Sequence, residues 1–499
     1  MAGRREVAVG RHHAAMLRNV TVGPRTPTLP TRAALVPAGQ HDPLSALDTL
    51  LAFRAAVYAT FGRRADALFE LMDALASAGP VASPVHLSLE PVHRRGWGSF
   101  YAALNQGELA ADALESLLAL HPLADAAGGP LIFGVDTSVW PRCDAETSPE
   151  RGFYHHSSRH SNGQPIVAGW SFQWVAQLSL TRDSWTAPLS VRRVPPGTEV
   201  NAAAAGQITA LLARLPEGTT AGQVPLFAFD CGYDSVQLGE SLAGVPVAIV
   251  VRLREGRCFY ADPLPLPPRA DGKRRTGRPR RHGAKFACAD TTTWWAPDAE
   301  HTEDDAQYGH VRVRAWSGVH AQVQNHPTRG SRGPRPIQRG TLLLVEVERL
   351  PHQTRPPKPM WLWWHGPAGT SPDLALVWRA YVHRFDLEHT LRFSKQSLEW
   401  TTLRVRQPAA AERWTWLVVL AYTQLRLAKP LVIDQRLPWE RPRPTGHLTP
   451  YRVRRAFSYV RALFGTPAAP PKPCGHPAGR PKGLHYRPAT RTPAIKLTP

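Results

Sequence analysis

Two short apolar runs in this chain, Leu-Ile-Phe-Gly-Val (131–135) and Val-Pro-Leu-Phe-Ala-Phe (224–229), each stop on an aspartate, Asp136 and Asp230. Runs this short and without polar alternation read as buried strands rather than helices. A carboxylate placed directly after a buried strand carries a desolvation cost that solvent, a partner or a function must offset. In open α/β sheets, strand ends are also where chemistry is placed. The two aspartates are therefore the first candidate functional residues.

Their surroundings specify a fold class. Residues 165–180 and 187–194 read as strands, 201–215 as an Ala- and Leu-rich helix, 235–242 as a short helix and 245–253 as a further strand. Three antiparallel strands followed by alternating helices and strands is the order of an RNase H-like α/β fold, a mixed sheet with helices on both faces. Residues 1–40 are basic and without periodicity, a flexible lead-in. Residues 41–125 are helical, with apolar spacing of three and four, and carry a basic turn, His-Arg-Arg-Gly-Trp-Gly (93–98), before Ser99, a helix-cap candidate. They suit a DNA-binding module or a helical cap on the main domain equally. The α/β core would occupy 129–254 and resume over 351–430, with helices at 373–395 and 409–428. Residues 255–350 would form a β-rich insertion with a basic loop. Residues 431–499 are a basic, Pro-rich tail with one amphipathic helix at 451–464, expected to be disordered beyond residue 466.

Charge narrows the partner. The chain has 60 Lys and Arg against 39 Asp and Glu, a formal surplus of +21, which favours polyanions. There is no Asp or Glu from Arg441 to the last residue. A second basic cluster contains Gly277-Arg278-Pro279 followed by Arg280 and Arg281, similar to the short arm that enters a minor groove. Arg278, Arg280 and Arg281 are therefore candidate DNA contacts. No apolar window approaches the roughly 20 residues of a membrane span and the N-terminus has no signal-peptide segment, so a cytoplasmic, nucleoid-associated protein without a membrane partner is expected. The five cysteines are scattered, without C-x-x-C spacing, as reduced thiols would be. No phosphate-cradling G-x-x-x-x-G-K-[ST] run is present, which argues against an ATP-driven motor.

The most specific pattern lies further on. In Tyr381-Val-His-Arg384-Phe-Asp-Leu-Glu388-His-Thr-Leu-Arg-Phe-Ser-Lys395, a helical turn of about 100° per residue puts Tyr381, Arg384, Glu388 and Lys395 within a stripe about 60° wide. A carboxylate between two cations on one stripe suits a divalent ion beside a phosphate. The same spacing describes an ordinary salt-bridged helix face.

These residues resemble a known family. The spacing Tyr-x2-Arg-x3-Glu-x6-Lys, with Asp136 ending a short apolar strand and Asp230-Cys-Gly-Tyr233 opening a turn, is similar to the DDE-type transposases of bacterial insertion sequences, in the cut-and-paste group. The resemblance spans roughly 129–430. It implies an RNase H-like core and three carboxylates, Asp136, Asp230 and Glu388, holding two Mg²⁺ (or Mn²⁺) ions per active site. It further implies double-stranded DNA as substrate, at transposon ends and target, and a homodimer on DNA. Tyr381, Arg384 and Lys395 would grip phosphates near the cleaved end. Members often resolve ends through a hairpin with a flipped base on an aromatic platform, for which Trp294, Trp295 and Trp316 are the candidates. A catalytically inactive DNA-binding derivative and a structure-specific nuclease of the same fold are the alternatives.

Overall fold

The computed structural model describes residues 43–79, 83–123, 128–155, 165–181, 183–265, 280–322, 336–351, 356–443, 447–473, 483 and 488–496. The lead-in, Arg278 and much of the tail lie outside the described residues.

The N-terminal region forms α1 (Pro43–Ala59), α2 (Ala65–Ser77), α3 (Trp97–Gln106) and α4 (Ala111–Ala119). Helix α3 starts earlier than the Ser99 cap predicts, from Gly96, and without a side-chain cap bond. The basic turn before it is occupied: the Arg94 Nε donates to Glu70 at 2.7 Å, and Arg95 pairs with the same carboxylate at 2.5 Å and with Asp66 at 3.4 Å.

The sheet then follows the predicted order. Strands β1 (Ile132–Pro141), β2 (Gly152–His155), β3 (Ile166–Leu178) and β4 (Ala187–Val194) precede α5 (Val200–Arg214), β5 (Leu226–Phe229), α6 (Ser235–Ser241) and β6 (Ala248–Arg252). β4 pairs antiparallel with β3, β3 with β1, and β1 runs parallel to β5, which runs parallel to β6. All four residues of β5 are buried, as a central strand covered on both faces requires. This mixed α/β sheet is consistent with the RNase H-like fold.

The predicted β-rich segment extends the same sheet. β7 (Cys258–Tyr260), β8 (Lys285–Ala287), β9 (Ala299–Asp305), β10 (Gly309–Ala321) and β11 (Arg339–Val347) join it through β12 (Met360–His365), which pairs with β6 on one side and β11 on the other. β2, β7, β8, β9 and β12 were not foreseen, because each is short or lacks period-two patterning. One face of β11 and β12 gives Leu342, Leu344, Trp361 and Trp363 to a separate core with Phe259, Phe286 and Trp316.

Two helices complete the body: α7 (Leu374–Gln396), which crosses β1, β3 and β5, and α8 (Pro408–Ala428), which is buried along most of its length. α8 carries α1, α2 and α3 on one side and α9 (Pro450–Arg461) beside them. A single buried carboxylate ties these pieces together. Asp73, on α2, accepts from Arg54 Nη2 at 2.9 Å, from Gln424 Nε2 of α8 at 3.3 Å and from Arg461 Nε of α9 at 2.9 Å. Arg54 itself lies 4.9 Å from the Phe69 ring centre and 4.6 Å from that of Phe464. The tail also departs from the expected disorder beyond residue 466. Thr492 N donates to Glu146 O and Ile495 N to Arg151 O, both at 2.6 Å, so part of it lies beside β2.

No helix among the described residues is long and apolar enough to cross a membrane. Cys143, Cys231, Cys258 and Cys288 are free thiols.

Removing one partner of a buried ion pair costs about 3–5 kcal/mol because the other charge is left uncompensated. Asp73→Ala is therefore expected to lower stability by about that amount, through loss of the Arg54 and Arg461 contacts together. A denaturant titration of wild type and variant checks it, and a change below ~1 kcal/mol would show that the node is dispensable.

Candidate active site

The site begins with strand register. Val135 is the last residue of β1 paired in parallel with β5, opposite Phe229. Asp136 and Asp230 are each the next residue along, so the two carboxylates leave neighbouring strands side by side, about 4.8 Å apart at the backbone. Gly232 N donates to Asp230 Oδ1 at 3.0 Å, closing the turn after β5. The same turn delivers Tyr233, whose ring packs 4.9 Å from Phe229 and whose hydroxyl accepts from Gln173 Nε2 at 2.8 Å.

Helix α7 brings the third carboxylate. It crosses β1 over Gly134, where an added Cβ would stand 3.3 Å from Leu387 Cδ2 and 3.4 Å from Leu178. Gly134 and Asp136 share one face of β1 by the two-residue period, so the close crossing at Gly134 also sets α7 against Asp136. Arg384 Nη2 donates to Glu388 Oε1 at 2.7 Å, and Arg384 Nη1 lies 3.5 Å from Asp136 Oδ2. The Arg384 guanidinium is only 4% exposed and the Asp136 side chain 14%, against 38% for Glu388.

Electrostatics follow from that placement. Burial pushes the Asp136 carboxyl up to about 7; Arg384 opposes the shift, while Asp230 and Glu388 add to it. Arg384 is itself raised: burial works against its charge, and Tyr381, Asp136 and Glu388 outweigh burial. Lys395 is lowered by burial, partly countered by Asp136, and its ammonium lies 5.9 Å from the Trp400 ring centre. Tyr233 is raised by burial, with Asp136 and Asp230 adding to it.

The structure thus gathers Asp136, Asp230, Glu388, Arg384 and Lys395 into one neighbourhood. Three hard oxygen donors, one of them raised by burial with the other two adding to the shift, fit a divalent cation by chemistry. Among the described residues, however, no three His, Cys, Asp or Glu side chains stand close enough to share one ion. The positive charge between Asp136 and Glu388 is here the Arg384 guanidinium.

The remaining sequence candidates divide. Tyr381 is fully buried, with Arg384 5.5 Å from its ring centre, so it supports Arg384 from within the core and presents no surface to DNA. Trp316 is 1% exposed, and its Nε1 donates to Trp295 O at 2.8 Å. Packed against Phe286 and Trp361, Trp316 has no face left for a base, which corrects its assignment as a stacking platform. Trp294 and Trp295 are half-buried at the edge of the same cluster, with Trp294 stacked on Phe286. Arg280 is exposed and Arg281 half-buried, and both line a cleft of about 650 Å³ with Asp262 and Arg339. Sequence reasoning missed Gln173. The available signal was an amide in the middle of the apolar strand 166–178, a position that demands a hydrogen-bond partner.

β1 runs on to Pro141, so Asp136 lies within its strand rather than at its end as the sequence suggested, while Asp230 directly follows β5. Two acids abreast on parallel neighbours, crossed by a helix carrying Arg384 and Glu388, suit phosphoryl transfer. Residues 56–323 match the family described as DDE superfamily endonuclease. The match takes in more than half of the chain, and the chain belongs to that family. Asp136 and Asp230 lie inside the matched span, and Glu388 lies beyond it. The family acts on DNA and is generally dependent on divalent metal ions. No curated protein matches the chain.

Arg384→Met should expose the repulsion that Arg384 now offsets. In EDTA the variant is expected to lose about 2–3 kcal/mol, below the full cost of a broken buried pair because Glu388 is partly exposed. Added Mn²⁺ should raise its melting temperature more than it raises the wild type's. Equal Mn²⁺ responses of the two proteins would show that Arg384 and a cation do not compete for the same carboxylates.

Proposed function

We propose that this protein is a DNA transposase of an insertion sequence, which binds the terminal inverted repeats of its element and carries out metal-dependent cleavage followed by strand transfer. The observation that carries this reading is the register that sets Asp136 and Asp230 abreast under a helix presenting Arg384, Glu388 and Lys395. That helix has the Tyr-x2-Arg-x3-Glu-x6-Lys spacing, and the family match supports a nuclease of the transposase type.

In this reading Asp136, Asp230 and Glu388 hold two Mg²⁺ or Mn²⁺ ions. When bound, such ions stabilise charge on the attacking and leaving oxygens of an in-line displacement at phosphorus. The chain's own residues do the rest. Arg384, released from Asp136 and Glu388, offers a planar fork to a phosphate, and Lys395 a point charge one helical face along. Tyr381 holds the Arg384 fork from below. Tyr233, tethered by Gln173, walls the Asp230 side of the site. The protein would act in the cytoplasm, at the nucleoid, as a homodimer that pairs two transposon ends.

The DNA interface extends to the basic cleft. Arg280 and Arg281 make no ion pair or hydrogen bond among the described residues, whereas Arg339 is held by Asp262 at 2.9 Å. Two unpaired guanidinium groups beside a third that is fixed suit a phosphodiester backbone. Trp294 and Trp295 are the remaining candidates for a base platform.

The deciding experiment is cleavage and strand transfer with Mg²⁺ or Mn²⁺ on a fragment carrying the gene and its native flanks, beside Glu388→Gln. The wild type is expected to cut at defined ends and join them to a target, while the variant binds without cutting. Binding without cutting by both proteins would make the chain a DNA-binding derivative. Cutting of branched DNA without joining would make it a structure-specific nuclease.

A second measurement addresses the cleft. Each phosphate contact contributes about 0.9 to the slope of log affinity against log salt on duplex DNA. Arg280→Ala with Arg281→Ala should therefore flatten that slope by up to about 1.8, two contacts' worth, without altering sequence preference. An unchanged slope would remove the cleft from the interface.

A further inference from the structure

The β9–β10 hairpin is joined to the catalytic helix by a contact that neither the fold order nor the acidic site requires. Glu303, near the end of β9, reaches across to α7. Its Oε1 accepts from Trp378 Nε1 at 2.6 Å, and its Oε2 pairs with the Arg379 guanidinium. Trp378 is 1% exposed, and the Tyr308 ring at the hairpin turn meets it edge-on at 5.8 Å. Tyr308 is also near enough to Asp386 to feel its charge, which adds to burial in pushing the Tyr308 hydroxyl up to about 12. The hairpin is therefore bound to α7 at Trp378 and Arg379, with Tyr308 packed edge-on against the same tryptophan.

The other end of α7 has its own polar tie. Thr390 Oγ1 lies 2.9 Å from Thr186 Oγ1 and 3.2 Å from the Tyr422 hydroxyl. Glu388 and Arg384 stand between the two ties. Between the ties, α7 meets β1 through Leu387 over Gly134 and through the long Arg384–Asp136 contact at 3.5 Å. Apolar packing of this kind tolerates small shifts that directional hydrogen bonds do not. A metal or transition-state site needs its ligands placed to about 0.5 Å.

We infer that Glu303 is a positioning residue for the acidic site: by holding Trp378 and Arg379 it fixes the rotation and axial placement of α7, and so where Glu388 stands relative to Asp136 and Asp230. The inference rests on the reading of these three carboxylates as the cation site. It makes the hairpin a buttress of the active site. Loss of the buttress leaves the carboxylates present but less well converged, which weakens their hold on a cation and leaves DNA binding intact.

The test uses the full chain, with Glu303→Ala, Glu303→Gln and Trp378→Phe, the last keeping an aromatic ring while removing the indole donor. Two readouts are compared: the Mn²⁺ concentration that half-saturates the rise in melting temperature without DNA, and the Mn²⁺ concentration that half-saturates cleavage. Glu303→Ala is expected to raise both about tenfold with DNA affinity unchanged, and Glu303→Gln and Trp378→Phe to raise both by a smaller factor. A lower melting temperature with unchanged Mn²⁺ dependence in all three variants overturns the inference, leaving Glu303 a structural staple. If Glu388→Gln responds to Mn²⁺ as the wild type does, the cation-site reading itself has failed, and the inference falls with it.

Discussion

Parallel pairing of two buried strands is the constraint on which the site depends. Once Val135 sits opposite Phe229, Asp136 and Asp230 must emerge next to each other, and two carboxylates that close repel. Such a pair persists only where a counter-charge is supplied. The fold supplies one by laying α7 across Gly134, where the missing side chain admits Leu387 and lets Arg384 reach both Asp136 and Glu388. The wish of the acids for positive charge and the position of the helix are thus one fact. Whatever cation occupies the acids, protein or metal, balances the same repulsion.

The rest of the chain is organised to keep that helix and sheet in place. α8 is the common support: α1, α2, α3 and α9 all pack on it. The Asp73 node joins α2 to α1, α8 and α9 through Arg54, Gln424 and Arg461. A buried carboxylate shared by two arginines is an expensive way to make contact, but its direction is specific in a manner that apolar packing is not. Here it fixes which face of α9 meets α2. The C-terminal helix, which the sequence places as an amphipathic helix in a basic tail, is thereby part of the body.

Much of this was legible in the sequence. The core strands and helices showed in apolar runs and spacing because a strand covered on both faces, or a helix packed along its length, leaves little room for polar residues. The four-residue spacing on α7 was legible for the same reason, as a stripe. What the stripe faced was not: its residues read as gripping DNA, yet Tyr381 is wholly buried and Arg384 is enclosed by carboxylates. Periodicity reports that residues share a face and is silent on whether that face meets solvent. β12 was missed because six residues rich in tryptophan, buried on both faces, carry no alternation to read. Glu303 and Gln173 were missed because each acts through a partner far away in sequence.

The charge surplus is also distributed differently from its appearance in the sequence. In the acid-free stretch, Arg452 pairs with Asp434 at 2.7 Å, Arg455 with Glu440 at 2.7 Å and Arg461 with Asp73 at 2.9 Å, while Arg454 donates to Leu75 O at 3.1 Å. Arg94 and Arg95 are likewise committed to Glu70. A guanidinium already paired inside the protein contributes little to counterion release on binding DNA. Arg280 and Arg281 lack such partners among the described residues, and Arg384 is paired only with the acids that a metal would neutralise. Arg280 and Arg281, in the β-rich segment, are therefore more open to a phosphate backbone than the α9 arginines.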